Sequence, residues 1–309
     1  MLDKLFYKEK GLFLQSLHPL AALAYLGTLL VLALVFTNPL YLLGILLVVV
    51  LAIRASDGLE AWESYLKIAL FMMVMIMLIN PLVSPAGSTI IWQGPRIPVF
   101  GRPTVSLEAI CYAAAMGVRL LSIISIFCLY NLVVHPDKAL NLFSRFAGKS
   151  VLVISLATRM FPAMVRELEN IRGVQWLRGV DFSKGSAREK VRKYSSLVNI
   201  LLLSSLEGSL ETAESMQARA FGSGPRTCFS RNRWRSRDTL FLSGSACALG
   251  AGLWGLFNGF GSFTFYPRLD YLISGPGTVA LLLIVLFSLS VPVLIGWGCE
   301  RWPYLNSKI

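Results

Sequence analysis

An uncharged stretch of 43 residues opens the apolar part of the chain: residues 11–53 read GLFLQSLHPLAALAYLGTLLVLALVFTNPLYLLGILLVVVLAI. A helix needs about 20 apolar residues to cross the hydrocarbon of a bilayer, so this stretch is long enough for two spans. We expect the break between them at Thr37-Asn38-Pro39, because proline lacks a backbone donor and Asn-Pro favours turns. The stretch therefore predicts a hairpin of two membrane-spanning helices.

Four further apolar stretches follow, and each is long enough for one span. They are residues 68–95, 109–136, 239–267 and 271–299, of which only the second contains a charge, Arg119. The chain is 55% hydrophobic and 15% charged with a mean hydropathy of +0.63, which argues against the two soluble domains that 309 residues would otherwise suggest. Continuous apolar runs also argue against a membrane β-barrel. We predict an all-α polytopic membrane protein with about six transmembrane helices.

The expected spans divide the chain into three parts. Residues 1–131 form an N-terminal membrane region with four spans, residues 132–237 form an insert of helices and loops, and residues 238–309 form a C-terminal membrane region with two spans. The N-terminal arm leads into a stretch too long for a signal-peptide core, so we expect the first helix to be retained.

The basic residues predict the orientation in the membrane. Most of the 29 lysines and arginines lie in the N-terminal arm, the turn between spans two and three, the insert and the tail. Only Arg96, Arg102 and Arg268 fall in the loops on the opposite side. By the positive-inside rule, both termini and the insert are expected in the cytoplasm of a multi-pass plasma-membrane protein.

The basic excess does not predict nucleic-acid binding. The net charge is +12, and arginines 231, 233, 235 and 237 alternate along one short stretch. Because that stretch directly precedes an apolar span, attraction to anionic lipid headgroups is favoured over a nucleic-acid patch. The five cysteines are dispersed without a CxxC pair, which favours neither a metal site nor a disulfide framework. His18 and His135 each precede a proline and are interpreted as helix-boundary residues.

Two helices are expected in the insert, and both end beside an arginine. The first follows Phe161-Pro162, since proline suits a first helical turn, and its apolar residues recur at spacings of three and four. The second runs from about Leu197 to Ala220 with the same periodicity. Their ends read Leu177-Arg178-Gly179 and Ala218-Arg219-Ala220.

An arginine beside small residues at a helix end suits docking to a partner. Gly179 can adopt the left-handed conformation that stops a helix, and the cation complements the carboxyl-end dipole. A small neighbour leaves the guanidinium uncovered, so it can enter a groove and bind carbonyls or carboxylates through its fork of donors. A solvated helix cap explains either end alone, but two such ends in one insert favour docking.

Other charged residues are interpreted as structural. Three glutamates share one face of the second insert helix, where like charges repel unless they are paired. The expected pairs join Glu207, Glu211 and Glu214 to Arg159, Arg166 and Arg172. For Arg119, an ionisable residue within a span, we favour pairing within the protein or snorkelling over transport chemistry. Residues 84–105, rich in glycine and proline, predict a short ribbon or an ordered loop.

Several stretches resemble the transmembrane T component of energy-coupling factor (ECF) transporters, the EcfT/CbiQ family that includes the cobalt-transport protein. The stretches are LHPLAALAYLGTLLVLALVFTNPLYLL, INPLVSPAGSTIIW, VSLEAICYAAAMGVRLLSI, YNLVVHPDKALNLFSRF, SLATRMFPAMVRELENIRGVQWLRGVDF and SSLEGSLETAESMQARAFGSGPRT. Together they cover most of the chain from Leu17 to Thr227. The last two are the most specific, because they contain the family's paired three-residue arginine motifs at the ends of two coupling helices.

The resemblance implies that these arginines dock into grooves on two cytoplasmic ATP-binding-cassette (ABC) ATPases. The ATPase-docking residues would be Leu177, Arg178, Gly179, Ala218, Arg219 and Ala220. The common form of the motif is Ala-Arg-Gly, so Leu177 replaces the first alanine and Ala220 replaces the final glycine. Both substitutes are uncharged and compatible with docking, and Gly222 is expected to provide the cap at the second end.

The resemblance also implies a coupling subunit without catalysis of its own. ATP hydrolysis by the two ATPases would move the coupling helices, which pass the movement to a separate substrate-binding membrane subunit, the S component, for uptake of a vitamin or metal ion. The sequence agrees, since it contains no GxxxxGK[ST] phosphate loop and no HExxH metal pair. We expect no cofactor, metal or catalytic residue. Four small residues are expected either to contact the S component or to pack within the bundle: Ala113, Ala114, Ala115 and Gly117.

Two other functions are weighed against this one. A membrane-embedded enzyme acting on lipid would need convergent acid, base or metal ligands. The conceivable set is Asp137, His135 and Glu108, but Glu108 and His135 lie at opposite ends of one span, ~40 Å apart at about 1.5 Å per residue. A stand-alone secondary transporter would need polar or broken helices near the midplane, where Arg119 is the one strong candidate.

Overall fold

The structure is a computed structural model, and it describes residues 13–83, 87–93, 104–134, 139, 142, 148–182, 184–224, 234–267, 269–273 and 275–301. A short 3-10 turn, Phe13–Ser16, precedes the helices. In chain order the described elements are α1 (Pro19–Val35), α2 (Pro39–Ala55), α3 (Leu59–Val83), β1 (Ile90–Gln93), β2 (Thr104–Ser106), α4 (Leu107–Val133), α5 (Gly148–Leu177), α6 (Ala187–Ala218), α7 (Ser236–Phe257) and α8 (Pro276–Arg301).

The chain divides into two compact units. The membrane unit comprises Met1–Ala139 and Arg233–Ile309, and the insert unit is Leu140–Asn232. The sequence-based boundaries of the insert, 132–237, enclose the whole insert unit.

The prediction of an all-α polytopic membrane protein is confirmed. Four helices of the described residues are long and apolar enough to cross a membrane, and they lie within α3, α4, α7 and α8. The apolar helices α1 and α2 have 17 residues each, which is the lower end of the usual length, about 17–25 residues, for a transmembrane helix.

The predicted break between α1 and α2 is also confirmed. Asn38 caps α2 by accepting a hydrogen bond from the Leu40 amide at 3.0 Å, and Pro39 is the first helical residue. The connection between α7 and α8 covers this break. The amides of Thr37 and Asn38 both donate to the Gly261 carbonyl at 3.2 Å, and the Phe263 amide donates to the Thr37 hydroxyl at 2.8 Å. The turn between the two short helices is therefore satisfied within the protein, as a low-dielectric surrounding demands.

The core of the membrane unit is built around α1 and α2. Leu29, Ala33 and Val49 are fully buried in one apolar cluster that also receives residues of α4, α7 and α8. Two buried tyrosines of the first hairpin place their hydroxyls on backbone carbonyls of α8: Tyr25 donates to Leu289 at 2.9 Å and Tyr41 to Thr278 at 2.7 Å. These bonds fix α8 against the first hairpin without leaving a buried donor unpaired.

The ribbon expected within residues 84–105 is present as an antiparallel pair. Strand β1 pairs with β2, with an irregularity between Ile90 and Trp92. Glu108, in the first turn of α4, is only 2% exposed and accepts hydrogen bonds from the Ser88 hydroxyl at 3.0 Å and the Thr89 amide at 3.1 Å. This carboxylate ties the start of the ribbon to the start of α4.

In the described part of the insert unit, two long helices are joined by a short turn. Helices α5 and α6 have 30 and 32 residues, and their described core is the cluster of Ile171, Phe182 and Leu197. Lys193 stabilises the turn, because its ammonium donates to the carbonyls of Asp181 at 2.7 Å and Lys184 at 3.0 Å.

The predicted starts of both insert helices are wrong. Helix α5 begins at Gly148 rather than after Phe161, and Pro162 lies inside it. Helix α6 begins at Ala187, ten residues before Leu197, where the Glu189 carboxylate accepts from the Ser186 amide at 3.2 Å. A side chain at the third helical position that caps the start in this way fixes a helix N-terminus in a charged segment, where apolar periodicity gives no signal.

Candidate docking site at two helix ends

The first predicted docking arginine lies at a fully formed helix cap. Helix α5 ends at Leu177, Arg178 is the capping residue, and Gly179 has a φ of +87°. The Gly179 amide donates to the Trp176 carbonyl at 2.9 Å, and the Val180 amide donates to the Gln175 carbonyl at 3.1 Å. These two bonds define the Schellman motif, in which a left-handed residue reverses the chain and satisfies the last carbonyls of the helix.

The second predicted docking arginine has the same geometry. Helix α6 ends at Ala218 and Arg219 is its capping residue. The Ala220 amide donates to the Gln217 carbonyl at 2.9 Å and the Phe221 amide to the Met216 carbonyl at 3.0 Å. Ala220 itself takes the left-handed position, with a φ of +55°.

The expectation that Gly222 would provide this cap is wrong. Gly222 also has a positive φ, +96°, but it lies in the turn after the motif. A Cβ disfavours the left-handed region without forbidding it, and the two backbone hydrogen bonds hold Ala220 there. The two ends are therefore equivalent in backbone conformation although they differ in sequence.

Both guanidinium groups are available to a partner. Arg178 and Arg219 are exposed, and among the described residues neither side chain has a recorded hydrogen bond or ion pair. Apolar side chains flank them: Trp176 is 67% exposed, Leu177 79% and Phe221 47%. Exposed arginine beside exposed aromatic side chains is typical of the residues that dominate protein–protein binding energies.

The predicted ion pairs between the insert helices are wrong. Glu207, Glu211 and Glu214 are exposed, and within the described part of the chain no salt bridge joins them to Arg159, Arg166 or Arg172. The helices meet instead through the cluster of Ile171, Phe182 and Leu197. The acidic face of α6 therefore stays open to solvent or to a basic partner.

Arg119 is paired within the protein, as predicted. Its guanidinium donates from Nη2 to the carbonyl of Phe36, the capping residue of α1, at 2.7 Å. The cation thus lies at the carboxyl end of α1, where the helix dipole favours positive charge. Arg119 is half-buried and belongs to the packing of α1 against α4.

Of the three residues considered for a lipid-acting enzyme, the structure describes Glu108. The Glu108 carboxylate already accepts hydrogen bonds from Ser88 and Thr89 at the start of the ribbon. His18 caps α1, because its Nδ1 accepts from the Leu20 amide at 3.3 Å, and this confirms its assignment to a helix boundary. His135 and Asp137 lie outside the described residues. Within the described ranges, no group of three or more His, Cys, Asp or Glu residues could hold a metal ion.

The small residues of α4 pack within the bundle. Ala113 is fully buried and Ala115 is 6% exposed. A Cβ added to Gly117 would lie 2.6 Å from Cγ of Met73 on α3. Gly117 therefore permits the close approach of α3 and α4, and bundle packing, one of the two interpretations of these residues, accounts for it.

Sequence reasoning located both arginines but missed the residues that complete the caps. Val180 and Phe221 occupy the same position, two residues after each arginine, and donate the longer-range hydrogen bond of the Schellman motif. A hydrophobic residue at this position is a known companion of the motif. At both ends an arginine is followed two residues later by a hydrophobic residue, and this pattern is the sequence signal that marks Ala220 as the left-handed residue.

The chain is similar to a known protein family over most of its length. The family profile described as "Cobalt transport protein" (CbiQ) matches residues 12–228, a range that contains both arginine ends. The energy-coupling factor transporter transmembrane protein EcfT of Thermotoga maritima is 26% identical over 227 residues, which is 70% of this chain and 80% of the relative. The protein of the same name in Macrococcus caseolyticus is 21% identical over 257 residues, 78% of this chain and 94% of the relative. That of Staphylococcus aureus is 21% identical over 245 residues, with 75% and 88% covered.

Proposed function

The chain belongs to the cobalt transport protein family, CbiQ, and from that membership we propose that it is the transmembrane coupling subunit of an ECF-type ABC importer. Its relatives are named as transmembrane proteins of energy-coupling factor transporters, and four of its helices are long and apolar enough to span a membrane. In this role the chain is a transporter component and not an enzyme. ATP is hydrolysed by two partner ABC ATPases.

The observation that carries the proposal is the equivalence of the two helix ends. Arg178 and Arg219 each cap a long helix, each precedes a left-handed residue, and each is exposed. Two copies of one docking structure suit two ATPases of the same fold. Each guanidinium enters a groove on one ATPase, where it binds carbonyls or carboxylates through its planar fork.

The helix cap explains why docking is rigid. The Schellman bonds fix the backbone on both sides of the arginine, so little conformational freedom is lost when the side chain is bound. Leu177 and the aromatic residues Trp176 and Phe221 add apolar area beside each guanidinium and exclude water from its hydrogen bonds. An ATPase that moves therefore carries its helix end with it.

The long helices transmit this movement. Helix α5 has 30 residues and α6 has 32, which at about 1.5 Å per residue correspond to rods of about 45 and 48 Å. Their mutual contact at Ile171, Phe182 and Leu197 joins the two rods near the turn. Movement of the ATPases reaches a separate substrate-binding membrane subunit, the S component, which takes up a vitamin or a metal ion.

Replacement of both docking arginines tests the proposal. The R178A/R219A variant is co-expressed with the two ABC ATPases of its host and purified through a tag on this chain. We expect the double variant to lose the ATPases and each single variant to lose them in part, because each arginine holds one ATPase. The matched control is R166A/R188A, which removes two exposed arginines that lie away from the docking ends, one in the interior of α5 and one in the first turn of α6.

The outcomes separate docking from general charge. Loss of the ATPases in R178A/R219A but not in R166A/R188A supports the proposal, provided that both variants elute as folded protein in size-exclusion chromatography. Retention of both ATPases by R178A/R219A would overturn it. Mass spectrometry of the proteins that co-purify with the unmodified chain identifies the S component, and its absence together with the ATPases would favour a stand-alone transporter.

A further inference from the structure

A cavity lies at the carboxyl ends of α2 and α8 in the membrane unit. Its volume is about 310 Å³, within the lower range of ligand-binding sites, about 300–1,000 Å³. The lining residues are Leu51, Arg54, Ala55, Val293, Leu294 and Trp297. Five of them present apolar surface, and one presents a guanidinium.

The two helices that form the cavity run side by side in the same direction. The Tyr41 hydroxyl donates to the Thr278 carbonyl near their starts, and Leu286 lies against Gly44 further along. The same alignment brings the last turn of α2 next to Val293 and Trp297 of α8. The cavity is therefore at the end of two apolar helices, the level at which a spanning helix leaves the hydrocarbon for the headgroup layer.

The lining matches a molecule that is anionic at one end and apolar along the other. Arg54 lies in the last turn of α2, is exposed, and has no recorded side-chain hydrogen bond or ion pair among the described residues. Val293 is 3% exposed and forms the apolar floor, whereas Leu294 is 48% exposed at the rim. Trp297, 38% exposed, is of the residue type that is enriched where hydrocarbon meets headgroups.

We propose that this cavity binds one anionic phospholipid, with its phosphate on the Arg54 guanidinium and the upper part of an acyl chain along Leu51, Val293 and Leu294. Arginine binds phosphate through two parallel N–H donors. A free phosphate would leave the apolar floor unused. In a zwitterionic lipid the headgroup's own cation competes for the phosphate, so no net negative charge remains to attract the guanidinium. The proposal does not depend on ATPase docking, because Arg54 and the two docking arginines belong to different units.

Native mass spectrometry of the purified full-length chain tests the proposal. The protein in detergent is titrated with phosphatidylglycerol, with phosphatidylcholine of the same acyl chains, and with glycerophosphate, which lacks acyl chains. We expect one phosphatidylglycerol to be retained in preference to the other two. The R54Q variant should weaken that retention about fivefold, the change expected when one basic contact near a membrane surface is lost.

Two further variants make the test specific. K67Q is the matched charge control, because Lys67 is exposed, is paired with Glu63 at 2.8 Å and lies outside the cavity; it should leave retention unchanged. A55L extends a half-buried side chain into the cavity and should lower the retention of phosphatidylglycerol. Both R54Q and A55L should elute in size-exclusion chromatography at the volume of the unmodified protein, which shows that they are folded.

Three results would overturn the proposal. Equal losses in R54Q and K67Q would show a general effect of surface charge. Binding of glycerophosphate as tight as that of phosphatidylglycerol would show a headgroup site without an acyl groove. Retention of phosphatidylglycerol by a variant truncated after Arg301, but not by the full-length chain, would show that residues 302–309 of the protein itself occupy the cavity.

Discussion

Ala220 holds a backbone conformation that residues with a Cβ avoid. Its φ is +55°, and a left-handed conformation costs such a residue about 1 kcal/mol or more. Replacement by glycine removes that cost, although glycine gives back part of the gain through its greater freedom in the unfolded chain. We expect A220G to stabilise the end of α6 by about 0.5–1 kcal/mol, measured as slower hydrogen exchange of the amides of Ala220 and Phe221.

The reverse substitution, from glycine to alanine, can be made at the end of α5. Gly179 has a φ of +87°, and a Cβ added there would meet nothing within 4 Å, so G179A tests the backbone alone. We expect it to destabilise the end of α5 by about 1 kcal/mol. Unchanged exchange at both ends would show that the left-handed conformation contributes nothing to the caps.

Glu108 joins the ribbon to α4 through a buried carboxylate. Removal of this side chain leaves the Thr89 amide and the Ser88 hydroxyl without their acceptor. Because both residues are exposed, water replaces the carboxylate, and the start of the ribbon loses its attachment to α4. We expect E108A to accelerate hydrogen exchange at Thr89 and E108Q, which keeps one acceptor oxygen, to do so much less. ATPase association should be unchanged in both variants.

A matched exposed glutamate provides the control for Glu108. Glu63 pairs with Lys67 on the surface of α3, and an ion pair between two exposed side chains of this kind contributes little to stability. E63A should therefore leave exchange at Thr89 unchanged. A faster exchange in E63A than in E108A would contradict the assignment of Glu108 as the anchor of the ribbon.

The residues of the candidate site differ in how visible they are in the sequence. Arg178 and Arg219 could be predicted because an arginine repeats beside small residues at two helix ends. The role of Ala220 could not, because intrinsic preference assigns a left-handed cap to glycine and a glycine, Gly222, stands two residues later. The backbone hydrogen bonds to the carbonyls of Met216 and Gln217 place Ala220, and not Gly222, in the left-handed position of the cap.

At the scale of the helices, α7 and α8 touch at the level of their backbones. A Cβ added to Gly244 of α7 would lie 2.8 Å from the carbonyl oxygen of Ser288, whose hydroxyl donates to the Gly244 carbonyl at 2.8 Å. A backbone atom cannot move aside as a side chain can. We expect G244A to destabilise the protein by about 1–3 kcal/mol, measured by thermal unfolding in detergent.

Gly250 offers the comparison on the same helix. A Cβ there would meet nothing within 4 Å, and the position is exposed. Alanine is the better helix former by about 0.8–1.0 kcal/mol, so G250A should unfold at the same or a higher temperature. If G250A were as unstable as G244A, close packing of the two helices would not be the cause.

The elements could be predicted where one physical constraint dominates. A spanning helix must be apolar along most of its length, so the gaps between charges predict the helices of the membrane unit. The exception is the start of α3, which begins nine residues before its gap and includes Glu60, Glu63 and Lys67. In the insert no such constraint acts. Pro162 suits the first turn of a helix, but it lies fourteen residues after Gly148 inside α5. The charged first turns of α6 have little apolar periodicity, and a capping interaction of Glu189 fixes their start.

For the molecule as a whole, the orientation in the membrane is the prediction with the widest consequence. We propose that both termini and the insert lie in the cytoplasm. In a background with the five cysteines replaced by serine, S195C places a thiol on the exposed surface of α6 and Y271C places one between α7 and α8, where Tyr271 is 84% exposed. A membrane-impermeant maleimide should label Y271C in intact cells and S195C only after permeabilisation.

The opposite labelling pattern would have two consequences. It would reverse the orientation that the basic residues predict. It would also place Arg178 and Arg219 outside the cell, away from ATP, and so remove the basis for docking to ATPases. Labelling of both thiols in intact cells would show that the maleimide enters leaking cells. A cytoplasmic marker protein that stays unlabelled in the same experiment excludes such leakage.

The short segment before α1, residues 15–18, forms hydrogen bonds with two parts of the chain that are far apart in sequence. The Gln15 side chain donates at 2.9 Å to the carbonyl of Leu132, at the end of α4 and before the insert unit. The His18 amide donates to the Asp238 carboxylate, just after the insert ends, at 2.7 Å. The same carboxylate accepts from the Arg235 amide at 2.8 Å.

Both ends of the stretch of about a hundred residues between Leu132 and Asp238 are thus hydrogen-bonded to the segment 15–18. A segment whose ends are clamped together can be exchanged for another without disturbing the fold that carries it, as happens when one domain is inserted into another. Under the function proposed above, an insert that binds different ATPases can therefore replace this one as a single unit. A chimera that carries the insert of a distant relative between Leu132 and Arg235 should still assemble its membrane helices.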